Sequence, residues 1–209
     1  MTNEDTLRLV ELASDGDESA LAELMQLYRE RLRRMVVLRM DARVRARFSP
    51  SDVVQEAYVE IARRIASANR DSNIPFFLWM RMVTGDQLAD LHRKHLGAEK
   101  RTAAREVGMM AHAAPDASSV CLAEQLAGQF TSADRGLKRE EVRIRLETAL
   151  NKMDDNDREV IAMRHFEELT TDEIATVLKL TRSGVLKRYT RAIRRLSEAI
   201  NSNSDTSFS

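Results

Sequence analysis

Apolar residues recur along this chain at helical spacing, and nowhere in the alternating pattern of a sheet strand. In the segment 20–40, "ALAELMQLYRERLRRMVVLRM", Leu21, Leu24, Met25, Tyr28, Leu32, Met35 and Val36 fall at steps of three and four, which predicts one long amphipathic helix. Pro50 interrupts the pattern, with Ser49 or Ser51 available as an N-cap. A second helix then runs through Val53, Val54, Ala57, Tyr58, Ile61, Ala62 and Ile65. The polar stretch "SANRDSN" at 67–73 reads as a turn. Pro75 suits the first turn of a third helix, in which Phe76, Phe77 and Trp79 share helical spacing with Met80, Val83, Leu88 and Leu91. At that spacing the three aromatic residues are expected in the core. The helix ends in the basic run "HRKHLGAEKR".

From 102 to 135 the periodicity fades among scattered Gly, Ser, Ala and Pro, with one short helix around 119–127. So long a weakly patterned stretch does not suit the inside of a compact domain, and it predicts a linker. Helical patterns resume at 136–152 and 155–166. The expected fold is therefore all-α, with a helical bundle over 15–101, a linker over 102–135, a second helical domain over 136–200 and a frayed polar tail over 201–209.

The richest pattern lies in "LTTDEIATVLKLTRSGVLKRY". Thr170 and Glu173 have capping-box spacing, which starts a short helix ending near Leu178. A tight connection over Lys179, Leu180 and Thr181 follows, with Thr181 as N-cap of a longer helix. Two helices joined in this way make a helix-turn-helix. At about 100° per residue, Val185, Leu186, Tyr189, Ala192, Ile193, Leu196 and Ile200 gather on one side of the longer helix. Lys187, Arg191 and Arg194 lie near the opposite side, flanked by Arg188 and Arg195, while Arg182, Ser183 and Gly184 occupy the N-terminal end that such a helix directs at base edges. Gly184 costs about 1 kcal/mol of helix propensity relative to Ala, and close backbone approach to DNA offers a compensation.

Composition narrows this picture. The 209 residues carry 33 basic and 33 acidic side chains, so the chain is no general polycation and any attraction to nucleic acid must come from local patches. Cys121 is the single cysteine, which excludes an intrachain disulfide and a cysteine-based zinc site; with no neighbour that lowers its pKa, it is expected to be an inert thiol. The acidic start lacks the apolar core of a signal peptide and no apolar run is long enough to cross a bilayer, so a cytoplasmic protein is expected. Asp90, His92, His95 and Glu99 are the best enzyme-like constellation, yet two histidines at a basic helix end read as solvated or DNA-facing residues, and neither metal nor cofactor is expected.

With these elements in order, the chain resembles the extracytoplasmic-function (ECF) sigma factors, a sigma-70 subfamily of promoter-recognition subunits of bacterial RNA polymerase. The segment "DREVIAMRHFEELTTDEIATVLKLTRSGVLKRYTRAIRRL" is similar to their domain 4, "SPSDVVQEAYVEIARRI" to their region 2.2, and "FFLWMRMVTGDQLADLHRKHLGAEKR" to their regions 2.3 and 2.4. The style of "KRYTRAIRRL" is especially like sigma factors of planctomycete-type bacteria. The resemblance implies a non-enzymatic protein whose partners are the RNA polymerase core, promoter DNA and an anti-sigma factor. It implies docking of Asp52, Gln55 and Glu56 on the clamp helices of the β′ subunit. It also implies minus-10 contacts by Asn69 and Arg70 in the loop to Asn73 and by Asp86, Gln87, Asp90, Arg93 and Lys94 on the next helix. Minus-35 contacts fall to Arg182, Ser183, Gly184, Lys187, Arg188, Arg191, Arg194 and Arg195. Two positions depart from the family's habit. Asp86 and Gln87 stand where Asn is frequent, which bears on base contact at Asp86. Lys179 stands where Gly usually ends the first helix of the motif. The alternative reading is a stand-alone helix-turn-helix regulator whose N-terminal bundle senses a signal or dimerises.

Overall fold

The computed structural model describes residues 3–71, 74–96, 114–130 and 136–201, and within them the side chains of Asn3, 67–71, 129–130 and 136–138 lie outside the description. Among the described residues there are ten helices and no strand, and the chain divides between Pro115 and Asp116 into two helical units. No helix of the described residues is long and apolar enough to cross a membrane.

The first unit holds α1 (Asn3–Ser14), α2 (Glu18–Arg39), the short α3 (Ala42–Arg45), α4 (Pro50–Asp71) and α5 (Phe76–Leu96). Helix α1 is an addition to the expected bundle. The acidic pattern of this segment hides it, but Val10 and Ala13 are buried and α1 packs on α2 and α4. Gly16 ends it in the left-handed conformation, with the Asp17 N–H donating to the Leu12 carbonyl at 3.0 Å and the Gly16 N–H to the Ala13 carbonyl at 3.2 Å. This Schellman geometry needs a residue that tolerates φ of 99°. Asp17 then caps α2 by accepting the Ser19 and Ala20 N–H groups.

The faces of α2, α4 and α5 meet as their periodicity predicts. Leu24, Leu32, Met35, Val36, Ala57, Ile61, Met80 and Leu88 are fully buried, and each large aliphatic side chain removed from water stabilises the bundle by about 1.5–3 kcal/mol. The second helix runs further than expected, because α4 continues through Asp71 and the segment 67–71 is helix rather than turn. The three aromatic residues at the start of α5 divide. Phe77 is buried beneath the Arg31 guanidinium, which sits 3.7 Å from its ring, whereas Phe76 and Trp79 stack on each other at 5.5 Å while half-exposed, so the expectation that all three are core holds fully only for Phe77.

The second unit holds α6 (Ser119–Phe130), α7 (Gly136–Asn151), α8 (Asp155–His165), α9 (Thr171–Leu178) and α10 (Arg182–Asn201). Helix α6 corrects the expected linker. Leu122, Ala123, Leu126 and Ala127 are buried and α6 packs along α7, so an interval read as linker contains an integral helix of the second unit. The helix itself matches the one expected around 119–127, and Leu122 and Leu126, buried among small alanines, are what join it to the second unit. Just upstream, buried Glu159 of α8 accepts the Ala117 N–H at 2.5 Å and fixes the entry of the chain. Cys121 is buried in α6. Residues 97–113, 131–135 and 202–209, which hold the rest of the expected linker and the expected tail, lie outside the described residues.

Candidate nucleic-acid interface

The helix-turn-helix is built from its caps. The Thr170 hydroxyl accepts the Glu173 N–H at 3.2 Å while the Glu173 carboxylate accepts the Thr170 N–H at 2.7 Å, so the capping box starts α9 as predicted. Lys179 ends it at φ 53°, ψ 43°, in the left-handed conformation that glycine would adopt without strain. For a residue with a Cβ this costs roughly 1–2 kcal/mol, offset here by the turn's bonds, including the Leu180 N–H to the Ala175 carbonyl at 2.9 Å. Lys179 therefore takes at this turn the left-handed conformation in which a glycine would be unstrained. Thr181 caps α10, its hydroxyl accepting the Gly184 N–H at 3.1 Å. A Cβ on Gly184 would stand 3.1 Å from that same hydroxyl, which gives the glycine a reason inside the protein, apart from any approach to DNA.

Helix α10 has one face locked into the unit. Val185, Ala192 and Leu196 are buried against α7, α8 and α9. Tyr189 stacks on His165, its hydroxyl 3.1 Å from Nε2, and burial together with nearby Arg164 holds the His165 imidazole below its ordinary pKa. Leu186 departs from the expected buried face: it is 49% exposed. The centre of the buried face is set by Val185, Ala192 and Leu196, and at 100° per residue Leu186 lies too far round to share it.

The charges sort more sharply still. Asp157 has its side chain only 1% exposed, and it accepts two hydrogen bonds from the Arg191 guanidinium, at 2.7 and 2.6 Å, and one from Arg188 at 2.9 Å. Arg188 also reaches Asp154, the N-cap of α8, at 2.7 Å. Burial pushes the Asp157 carboxyl upward, but the two guanidiniums outweigh it and hold the group below the usual carboxylate range. Arg188 and Arg191, expected to point outward with the other cations, are thus the tie between α10 and the start of α8. Arg182 is paired with Asp172 at 2.7 Å and Arg194 lies 3.7 Å from Glu198, both at the surface. Lys187 and Arg195 are exposed and have no ion pair among the described residues. Ser183, Lys187, Thr190 and Arg194, with Leu186 at the edge, form the outward ridge, and Leu186 and Thr190 are the members that the sequence reading did not include.

In the first unit, Asp86, Arg93 and Lys94 are exposed and Gln87 and Asp90 half-exposed along one side of α5. Arg93 and Asp90 form an ion pair within the helix. Desolvation raises the Asp86 carboxyl against the opposing pull of Arg64 and Arg93, so an acid stands at the surface without being a fully solvated charge. Beside it, Gly85 is buried, and a Cβ there would come within 2.9 Å of the Ala114 backbone, so the chain at Ala114 lies directly on α5. His92 Nε2 accepts the Asp41 N–H at 3.2 Å, which ties α5 to the N-cap of α3. Asn69 and Arg70 stand on the last turn of α4 rather than in a loop, and their side chains lie outside the described residues.

On the outer side of α4, Asp52, Gln55, Glu56 and Val59 are exposed in succession. Asp52 has a local role: its carboxylate accepts the Ser49 N–H at 2.8 Å while the Ser49 hydroxyl accepts the Asp52 N–H at 3.2 Å. These bonds make Ser49 the N-cap and hold the Asp52 carboxyl below its ordinary pKa, the backbone bond contributing most. Gln55 and Glu56 have no such local explanation.

Comparison with known proteins supplies the context for these surfaces. Residues 3–202 match the family model of the ECF sigma factors. The chain is 24% identical over 207 residues to the RNA polymerase sigma-H factor of Pseudomonas aeruginosa, with 96% of each chain covered. Its fold is similar to that of CnrH, solved in complex with the cytosolic domain of CnrY, with a TM-score of 0.55 and 20% identity over 96% of this chain and 99% of CnrH. Taken with the two helical units and the helix-turn-helix, a family match over nearly the entire sequence shows that this chain belongs to the ECF sigma factors and directs promoter recognition by RNA polymerase.

Proposed function

We propose that α10 enters the major groove at the minus-35 element, presenting Arg182, Ser183, Gly184, Lys187, Arg194 and Arg195, while Arg188 and Arg191 hold the helix at its angle. The separation of a packed face from an exposed cationic ridge on this one helix carries the reading. Cations at the rim engage phosphates and set register, and side chains on the ridge meet base edges. In the first unit, the reading gives Asp86, Gln87, Asp90, Arg93 and Lys94, with Asn69 and Arg70, to the minus-10 element. A separated strand needs cations along its backbone and polar edges for its bases, and the mixed side of α5 has both. The exposed row at Asp52, Gln55 and Glu56 docks on the β′ clamp helices; of the three, Gln55 and Glu56 are the stronger candidates because Asp52 already caps its own helix. Domain 4 in this reading begins at Asp116 and includes α6. The protein works in the cytoplasm, where the polymerase is, and an anti-sigma factor is a further partner; the fold similarity to CnrH, solved with the cytosolic domain of CnrY, supports that partner class.

Reconstitution with core polymerase tests the assignment. Gln55→Ala with Glu56→Ala is expected to weaken core association severalfold, whereas Lys187→Ala with Arg195→Ala leaves core association intact and reduces promoter-dependent run-off transcription. Normal core affinity in the first double variant removes the clamp assignment, and normal promoter use in the second removes the minus-35 assignment.

A further inference from the structure

The outward ridge of α10 is less cationic than its sequence. Arg188 and Arg191 are committed to Asp154 and Asp157, and between the remaining cations lies a small apolar surface. Leu186 is about half exposed, and with Lys187, Thr190, Arg191 and Arg194 it lines a shallow recess on the helix. The Thr190 hydroxyl donates to the Leu186 carbonyl at 3.0 Å, one turn back. With the hydroxyl held there, the group Thr190 offers outward is its methyl. Two apolar groups therefore sit side by side on the N-terminal half of a helix flanked by Lys187 and Arg194.

A solvent-exposed leucine in such a position has no partner inside the unit. The surrounding cations fit a polyanion, so the occupant is duplex DNA, and the one apolar substituent that duplex DNA presents in its major groove is the thymine 5-methyl. We propose that Leu186, with the methyl of Thr190, is a specificity-determining contact that reads a thymine of the upstream promoter element through its 5-methyl group. This rests on the assignment of α10 to that element. Lys187 and Arg194 hold the phosphates on either side and favour every sequence alike, so the apolar pair discriminates where the cations only attract.

The test uses holoenzyme reconstituted from core polymerase and the full chain. Bound duplexes are first selected from a pool randomised across the upstream element. Each thymine of the selected element is then replaced singly by deoxyuridine, which removes only the methyl. For the wild type, one thymine is expected to be sensitive, its replacement weakening binding about fourfold, the equivalent of the ~0.8 kcal/mol of one buried methyl group. In Leu186→Ala that sensitivity disappears, and because the side chain is exposed the variant's melting temperature stays that of the wild type. In Lys187→Ala all duplexes bind more weakly while the deoxyuridine effect persists. The proposal is overturned if no upstream thymine is sensitive, or if Leu186→Ala keeps the full fourfold effect. A separate outcome, selection of no upstream sequence at all, overturns the assignment of α10 to DNA itself.

Discussion

The two helices proposed to meet DNA carry their charge in different ways. On α5 the pairing is local: Asp90 and Arg93 are three residues apart on one helix, and the acids and bases of the proposed strand contact are neighbours in sequence. On α10 the buried acid comes from another helix, Arg191 bonding to Asp157 across 34 residues of sequence. Charge on α5 is balanced at the surface, where it contributes little to stability. Charge on α10 is divided: Arg188 and the still exposed Arg191 are tied to the buried Asp157, and the rest faces outward. A patch of six cations is thus two devices, one that holds the helix and one that, in the proposed reading, meets DNA.

The sharpest break in this comparison is expected from removing the acids. Asp157→Ala leaves the Arg188 and Arg191 guanidiniums without their buried partner and should lower the stability of the protein by about 2–3 kcal/mol in urea denaturation, in line with lost charge-assisted hydrogen bonds. Asp90→Ala, which removes a partly exposed surface pair, should change it by no more than about 0.5 kcal/mol. Equal losses in the two variants would mean that the Asp157 site adds nothing beyond a surface pair.

Acidity probes the same difference without a change of side chain. The Asp157 carboxyl is held below the value of 3.8 that it has when unfolded, so its contribution is present above that pH. It is lost as the pH falls through the depressed folded value. The wild type should therefore lose stability below about pH 4 more steeply than Asp157→Asn, which has no carboxylate to protonate. Parallel acid profiles for the two proteins would remove this account of the site.

Gly85 gives an effect of intermediate size on α5. Gly85→Ala inserts a methyl where the Ala114 backbone leaves no room, and it is expected to cost about 1–2 kcal/mol despite the gain in helix propensity, as overpacking does. An unchanged or higher melting temperature would show that the chain at Ala114 yields easily.

The smallest expected effect separates the two devices of α10 directly. Lys187→Ala should flatten the dependence of promoter affinity on salt by roughly one unit of slope, since one phosphate contact is lost, and leave stability unchanged. Arg191→Ala should do the reverse, lowering stability while changing the salt slope by less. If Arg191→Ala flattens the slope as much as Lys187→Ala, Arg191 leaves Asp157 for a phosphate when DNA binds.

Much of this was legible from local signals. Thr170 and Glu173 form the predicted capping box, Ser49 and Thr181 are the caps of α4 and α10, and Val185, Ala192 and Leu196 form the buried stripe that the angular spacing placed there. Each of these depends on residues within a turn or two of one another, so spacing alone carries the information. Elements built from weak local signals were misread or missed. Helix α6 matches a helix expected only as a short piece of linker, α1 mixes exposed Leu7 and Leu12 with its acids, and α4 continues through 67–71, where the apolar period has ended.

What the sequence by itself determined about this protein is its helices, their caps and its two-unit helical organisation, together with the family motifs spread over nearly its whole length. What only the tertiary structure decided is the direction of individual charges and of Leu186. A helical wheel treats every position on a face as equivalent, but the acids on α8 reach only one flank of α10, and they draw Arg188 and Arg191 to that side. That choice depends on how two helices pack, and no spacing within either helix contains it.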